Sequence, residues 1–315
     1  MKPIKLSPAF KDYLWGGTKL RTEFNKNCNF EKVAESWELS THKDGQSVVL
    51  GGEYKGLCLS EYIEKAGKGV LGENAEKFEY FPILIKLIDA KDSLSIQVHP
   101  SDEYALRVEG EYGKTEMWYI VDCEKDAYLY YGFNRDITPQ EFKERIENNT
   151  VLEVLNRVDV KKGDVFFIES GTVHAIGAGI VICEIQQNSN TTYRVYDYDR
   201  RDKNGNPREL HIDKAVEVSN TSKAPALDGG KILEEGITLL ADCKYFKVLK
   251  AEITGRKEFV ADEKSFNSVI ILDGAGKLCC DGEEMALEKG DSVFVPANSG
   301  KYTIEGNCTA IISMV

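Results

Sequence analysis

Two histidines and a carboxylate are spaced in this chain as a small β-rich fold would need them to hold a metal ion. His99 closes the run Ser95-Ile96-Gln97-Val98-His99, Glu116 opens Glu116-Met117-Trp118-Tyr119-Ile120-Val121, and His174 follows the turn Ser170-Gly171-Thr172-Val173. Side chains alternate along a strand, so Gln97 and His99 share one face while Ile96 and Val98 take the other. The chain has 4 histidines. The other two, His42 and His211, lack such a setting and read as ordinary hydrogen-bonded residues.

Short apolar runs between glycines must position these groups. Ser47-Val48-Val49-Leu50, Tyr128-Leu129-Tyr130-Tyr131, Asp164-Val165-Phe166-Phe167-Ile168 and Ser292-Val293-Phe294-Val295 all read as strands. Helices interrupt them. Thr138-Pro139-Gln140-Glu141 is a capping box with proline at the first helical position, opening a helix through about Asn148. More helix is expected near Val151–Arg157, over Leu59–Ala66 and over Ile212–Val218. A repeat organises the whole: Lys162-Gly163-Asp164-Val165-Phe166-Phe167-Ile168 recurs as Lys289-Gly290-Asp291-Ser292-Val293-Phe294-Val295. The first copy leads to His174, and the second, through Pro296-Ala297-Asn298-Ser299-Gly300-Lys301-Tyr302, to no histidine. The economical reading is two related β-barrel units. Residues 1–229 would carry the site and helical insertions, and residues 230–315 a smaller unit without a metal site. Asp228-Gly229-Gly230 marks the boundary, and Asn204 to Pro207 reads as a further loop.

Composition narrows the function. At 315 residues, 42% hydrophobic and 29% charged, the chain has a globular balance and length for a substantial core. A net charge of −12 argues against a nucleic-acid partner. A few local cations can still hold an anionic small molecule. The apolar runs are too short to span a bilayer, and the opening residues are not those of a signal peptide, so a cytoplasmic protein with no membrane partner is expected. The 8 cysteines form no CxxC pair and read as reduced thiols.

Gly163, Glu169, Gly171 and His174 together resemble the second motif of the cupin superfamily, with Glu169 where that motif usually carries proline. The resemblance implies a mainly β fold of two cupin-type (jelly-roll) β-barrels with short helical insertions. Three further stretches carry a narrower likeness: Ser93-Leu94-Ser95-Ile96-Gln97-Val98-His99-Pro100, then Gly113-Lys114-Thr115-Glu116-Met117-Trp118, then Gly171-Thr172-Val173-His174-Ala175. With Leu14-Trp15-Gly16-Gly17 and the segment Glu184 to Tyr198, they resemble type I phosphomannose isomerase in its short bacterial form. That family implies one Zn2+ per chain and interconversion of mannose 6-phosphate and fructose 6-phosphate through an enediolate.

Carried over by position, the resemblance makes His99, Glu116 and His174 zinc ligands and Gln97 the match of a ligand in longer members. Arg194 matches a catalytic arginine, Lys114 a lysine at the sugar site, and Ser95 a serine near the phosphate. Asn190 stands where an aspartate is usual. Lys114 and Glu184 are both candidates for proton transfer, and the sequence does not choose between them. Arg194 either stabilises the enediolate or pairs with Asp197 or Asp199. Tyr193, Tyr196 and Tyr198 read as packing residues. Two other readings stand beside the isomerase: a cupin non-haem iron oxygenase, which also uses two histidines and one carboxylate, and a non-catalytic sugar-phosphate-binding cupin.

Overall fold

A computed structural model describes residues 1–201, 204–227 and 229–315. Strands dominate the described residues, and no described helix is long and apolar enough to cross a membrane. The chain divides into two compact units, one of residues 1–13, 18–88 and 229–315, the other of residues 14–17 and 89–228. One of these divisions falls at residue 229, and Asp228 lies outside the described residues. The expected unit 1–229 takes a different form, because most of the first 88 residues group with the C-terminal strands.

In that first unit, the strands Lys247–Ala261 and Gly300–Met314 pair antiparallel along their whole length, and Asn267–Cys280 joins them. Their alternation buries Ala251, Ile253, Val269, Ile271, Ile304 and Ile312 in one apolar interior. Ile4–Ser7 pairs with Ser292–Val295, so the start of the chain closes onto its last third.

The second unit holds every residue singled out for chemistry. Three strands, Val165–Ile168, Glu116–Cys123 and Ile180–Gln187, run in that order. Five others form a second sheet in the order Tyr193–Tyr196, Ile96–Val98, His174–Ile176, Tyr128–Phe133 and Leu155–Asp159. Neither this order nor that of the C-terminal sheet returns to its first strand, so the expected barrels are open sheets. Helices Pro139–Glu147 and Ile212–Val218 supply Phe142, Ile146 and Ala215 to the apolar cluster on the five-stranded sheet. Thr138 Oγ1 accepts from Glu141 N at 3.0 Å as a capping residue should. The Glu141 carboxylate turns away to Arg135, leaving half of the expected box. Helix near Val151–Arg157 is confined to the 3-10 turn Val151–Val154, and the chain then enters the strand Leu155–Asp159. Pairing with Tyr128–Phe133 overrides the local helical signal there.

Candidate metal centre and catalytic site

Strand register assembles the centre. Gln97 lies opposite His174 on one side and opposite Arg194 on the other. Directly opposed residues share a face, so Arg194, Gln97 and His174 form one row across the five-stranded sheet. In the sheet that holds Glu116–Cys123, Glu116 lies opposite Gln186, and Trp118 opposite Glu184. The two faces meet where the Trp118 ring stands edge-on to His174, with centroids 5.2 Å apart.

At this meeting, one carboxylate oxygen, Glu116 Oε1, lies 3.2 Å from Nε2 of both His99 and His174. All three residues are buried, and their potential ligand atoms lie within 4.8 Å of one another. Each imidazole is oriented by a backbone carbonyl: His99 Nδ1 donates to Thr191 O and His174 Nδ1 to Thr172 O, both at 2.8 Å. With Nδ1 carrying the hydrogen, Nε2 turns to the cluster, as in metal-binding histidines. Burial, then the Lys114 ammonium, push the His99 imidazole down to about 3, so it is neutral and able to ligate near pH 7. Burial alone would raise the Glu116 carboxyl, but the Lys114 ammonium facing it outweighs burial and holds it well below the usual carboxylate range.

These residues fit a divalent cation. Neither Glu116 oxygen makes a well-formed hydrogen bond. The Lys114 ammonium faces Oε2, but Oε1 meets only the two Nε2 atoms. A buried charged oxygen so placed is costly unless a cation faces it. Two imidazoles and one carboxylate are a donor set that leaves coordination positions open. Gln97 Nε2 stands 3.5 Å from His174 Nε2, so its amide reaches the rim of the cluster.

Lys114 is the cation already in place. Its Nζ is 3.1 Å from Glu116 Oε2, 3.2 Å from His99 Nε2 and 3.9 Å from Glu184 Oε1. Glu184 is buried and accepts from Trp118 Nε1 at 2.8 Å. Gln97, His99, Lys114, Glu116, His174 and Glu184 are therefore brought together. Ser95 is buried in the segment entering Ile96–Val98. Arg194 stands two strands from His174, roughly 10 Å at ordinary strand spacing. Its Nη1 donates to Glu209 O at 2.8 Å, while its buried Nε has no hydrogen-bond partner among the described residues. The alternative pairing with Asp197 gives way to Arg200 and Arg208, which bond both oxygens of that carboxylate.

Gly171 explains the spacing of the motif before His174. Its φ is +90°, and a Cβ there would stand 2.9 Å from Val218 O. Its N–H donates to His99 O at 2.8 Å, tying the turn before one histidine to the backbone of the other.

Comparison with known proteins places the chain. Residues 4–145 match the family model for the phosphomannose isomerase type I catalytic domain, and residues 236–315 that for the mannose-6-phosphate isomerase cupin domain. It is 41% identical to mannose-6-phosphate isomerase ManA of Bacillus subtilis, over 99% of this chain and 98% of that protein. The chain belongs to the type I phosphomannose isomerases. Mannose-6-phosphate isomerase of Streptococcus mutans is 37% identical over 99% of this chain and 98% of its own. The crystal structure of the mannose 6-phosphate isomerase from Bacillus subtilis superposes with a TM-score of 0.92 at 39% identity, covering 100% of both chains.

Two neighbours of the site residues carry no functional signal of their own in the sequence. Trp118 links Glu184 to His174, and its position two residues after Glu116 was a signal for a shared face. His211 accepts from Arg194 N at 3.0 Å. No signal joined those residues, because a loop and a helix start bring them together.

Proposed function

We propose that this chain is a cytoplasmic, zinc-dependent mannose-6-phosphate isomerase that interconverts mannose 6-phosphate and fructose 6-phosphate through an enediolate. The observation that carries the reading is the convergence of Lys114, Glu116 and His99 within 3.2 Å in a buried site. Its relatives bear the name of this activity over their full lengths. All eight cysteines are free thiols, in keeping with a reducing compartment.

His99, Glu116 and His174 would hold the zinc ion, with Gln97 at its edge. Bound there, zinc would supply Lewis acidity toward the oxygens of the sugar's reacting carbons. The protein's own groups do the rest. Isomerisation removes a proton from one carbon and returns one to its neighbour, with charge accumulating on oxygen between the two steps. Lys114 and Glu184 are the buried groups suited to move that proton or to orient a hydroxyl. Arg194, already partly desolvated, offers a permanent cation to the developing oxyanion. Ser95 would face the phosphate end. The C-terminal cupin-like part, residues 230–315, takes no part in turnover on this reading.

Coupled detection of fructose 6-phosphate from mannose 6-phosphate tests the proposal. Activity should be lost with a chelator and return with zinc, at about one metal per chain. Full turnover by metal-free protein, or an oxygen-dependent reaction restored only by iron, would overturn it.

A further inference from the structure

Residues 113–115 lead into the Glu116 strand and belong to no helix or strand themselves. Side chains from elsewhere hold their buried backbone. Gly113 N donates to Asp102 Oδ1 at 2.8 Å, and Thr115 N donates to Gln187 Oε1 at 3.0 Å. Lys114 N donates to Pro100 O at 3.0 Å between them. Gln187 Nε2 then donates to the same Asp102 oxygen at 2.8 Å, and Gln187 N to Thr115 O at 3.1 Å. The Gln187 amide is thus bonded at both ends, and reversing it would lose both bonds. There is no slack beneath. A Cβ on Gly113 would stand 2.4 Å from Asp102 N and 2.7 Å from Pro100 O.

We propose that Asp102 and Gln187 are positioning residues for the isomerisation, a latch that fixes the backbone on both sides of Lys114 and so aims its amine. The inference rests on the isomerase reading of the site. A lysine carries its charge on a flexible four-carbon stem, so the placement of Nζ against Glu116, His99 and Glu184 depends on where the backbone starts. A misplacement of about 1 Å can cost on the order of 10²-fold in rate. Neither latch residue is among the groups that gather at Glu116. Gln187 follows Gln186 on its strand and so takes the face opposite to Glu184 and Gln186.

The test uses the full-length protein and four variants: Asp102→Ala, Asp102→Asn, Gln187→Leu and the double variant Asp102→Ala/Gln187→Leu. Asp102 is only partly buried, so its variants spare the core should Gln187→Leu fail to fold. Asp102→Ala and Gln187→Leu should each lower kcat by about 10- to 100-fold. KM should stay within about threefold and metal content at the parental level. The double variant should be little worse than the worse single one, as for residues acting as a unit. Asp102→Asn keeps the accepting oxygen and should restore kcat. Hydrogen exchange of the 113–115 amides should quicken in the two disabled single variants and recover in Asp102→Asn. A parental kcat in Asp102→Ala, or a loss that only tracks missing metal or unfolded protein, would overturn the proposal. Parental protein that does not turn over mannose 6-phosphate would sink the isomerase reading instead. The exchange measurement would then still decide whether the latch exists, and unchanged protection would count against it.

Discussion

The turn leading to His174 and the turn leading to Lys301 share one hydrogen-bond plan and differ in what it presents. In the first, Lys161 N donates to Asp164 Oδ2, Gly163 N to Ile120 O, and Ile120 N to Asp164 O. In the second, Glu288 N donates to Asp291 Oδ2, Gly290 N to Ile271 O, and Ile271 N to Asp291 O. Ile168 lies opposite Glu116, and Val295 opposite Asn267. Thus the carboxylate of one unit corresponds to an amide in the other. Asn267 Nδ2 donates to Val260 O and to the buried Tyr302 hydroxyl, so that amide group has partners. Glu116 has none of good geometry. Trp118 corresponds in turn to Val269, which joins an apolar interior. His174 corresponds to Lys301, whose side chain is 73% exposed and pairs with Glu258. A scaffold built by turn chemistry is therefore neutral toward function, and a few inward positions decide whether it holds polar chemistry or hydrocarbon.

The largest expected effect comes from making the first turn resemble the second. His174→Ala should remove metal and lower turnover by on the order of 10³-fold or more, since the lost charge stabilisation amounts to several kcal/mol. Metal analysis beside the coupled assay checks this, and a metal-bound, active His174→Ala would break the comparison. Next is Arg194→Lys. If Arg194 only holds Glu209 O through Nη1, a lysine can also donate there, so a structural role predicts little change. A planar fork facing developing charge predicts a fall in kcat on the order of 10²-fold, with metal content and melting temperature near parental. Parental turnover would reduce Arg194 to a structural residue.

The opposite exchange sharpens the comparison. Asn267→Glu should not create a metal site, because no paired imidazoles face that position among the described residues of its unit. It should instead destabilise the protein by about 3 kcal/mol, through a buried carboxylate without a cation. Denaturant unfolding measures this, and metal uptake by the variant would contradict it. The smallest effect belongs to Lys301→Ala, which should leave turnover and metal content within about twofold of parental. Loss of metal there would mean that the second turn serves the centre directly.

Much of the centre was legible in the sequence because its signals are local. Strand alternation put Gln97 and His99 on one face, and glycine spacing marked the turn before His174. The helices at Leu59–Ala66 and Ile212–Val218 also followed from local pattern and lie where expected. What pairs with what was not local. Nothing near Arg194 in the chain indicates that Asp197 is taken by Arg200 and Arg208, or that Arg194 shares a row with Gln97 and His174. The segment after Val154 carries a local helical signal, but its strand partner Tyr128–Phe133 sets its conformation.

The sequence by itself determined the donor set, the turn repeat and the family to which the chain belongs, since residue types and short spacings carry them. Only the tertiary structure decided that Lys114 stands between Glu116 and Glu184, that one oxygen of Glu116 serves both imidazoles, and that the chain's opening strand joins its C-terminal sheet. Those facts depend on register between strands far apart in sequence. Register is set by which faces can be buried together, a property that no single segment possesses.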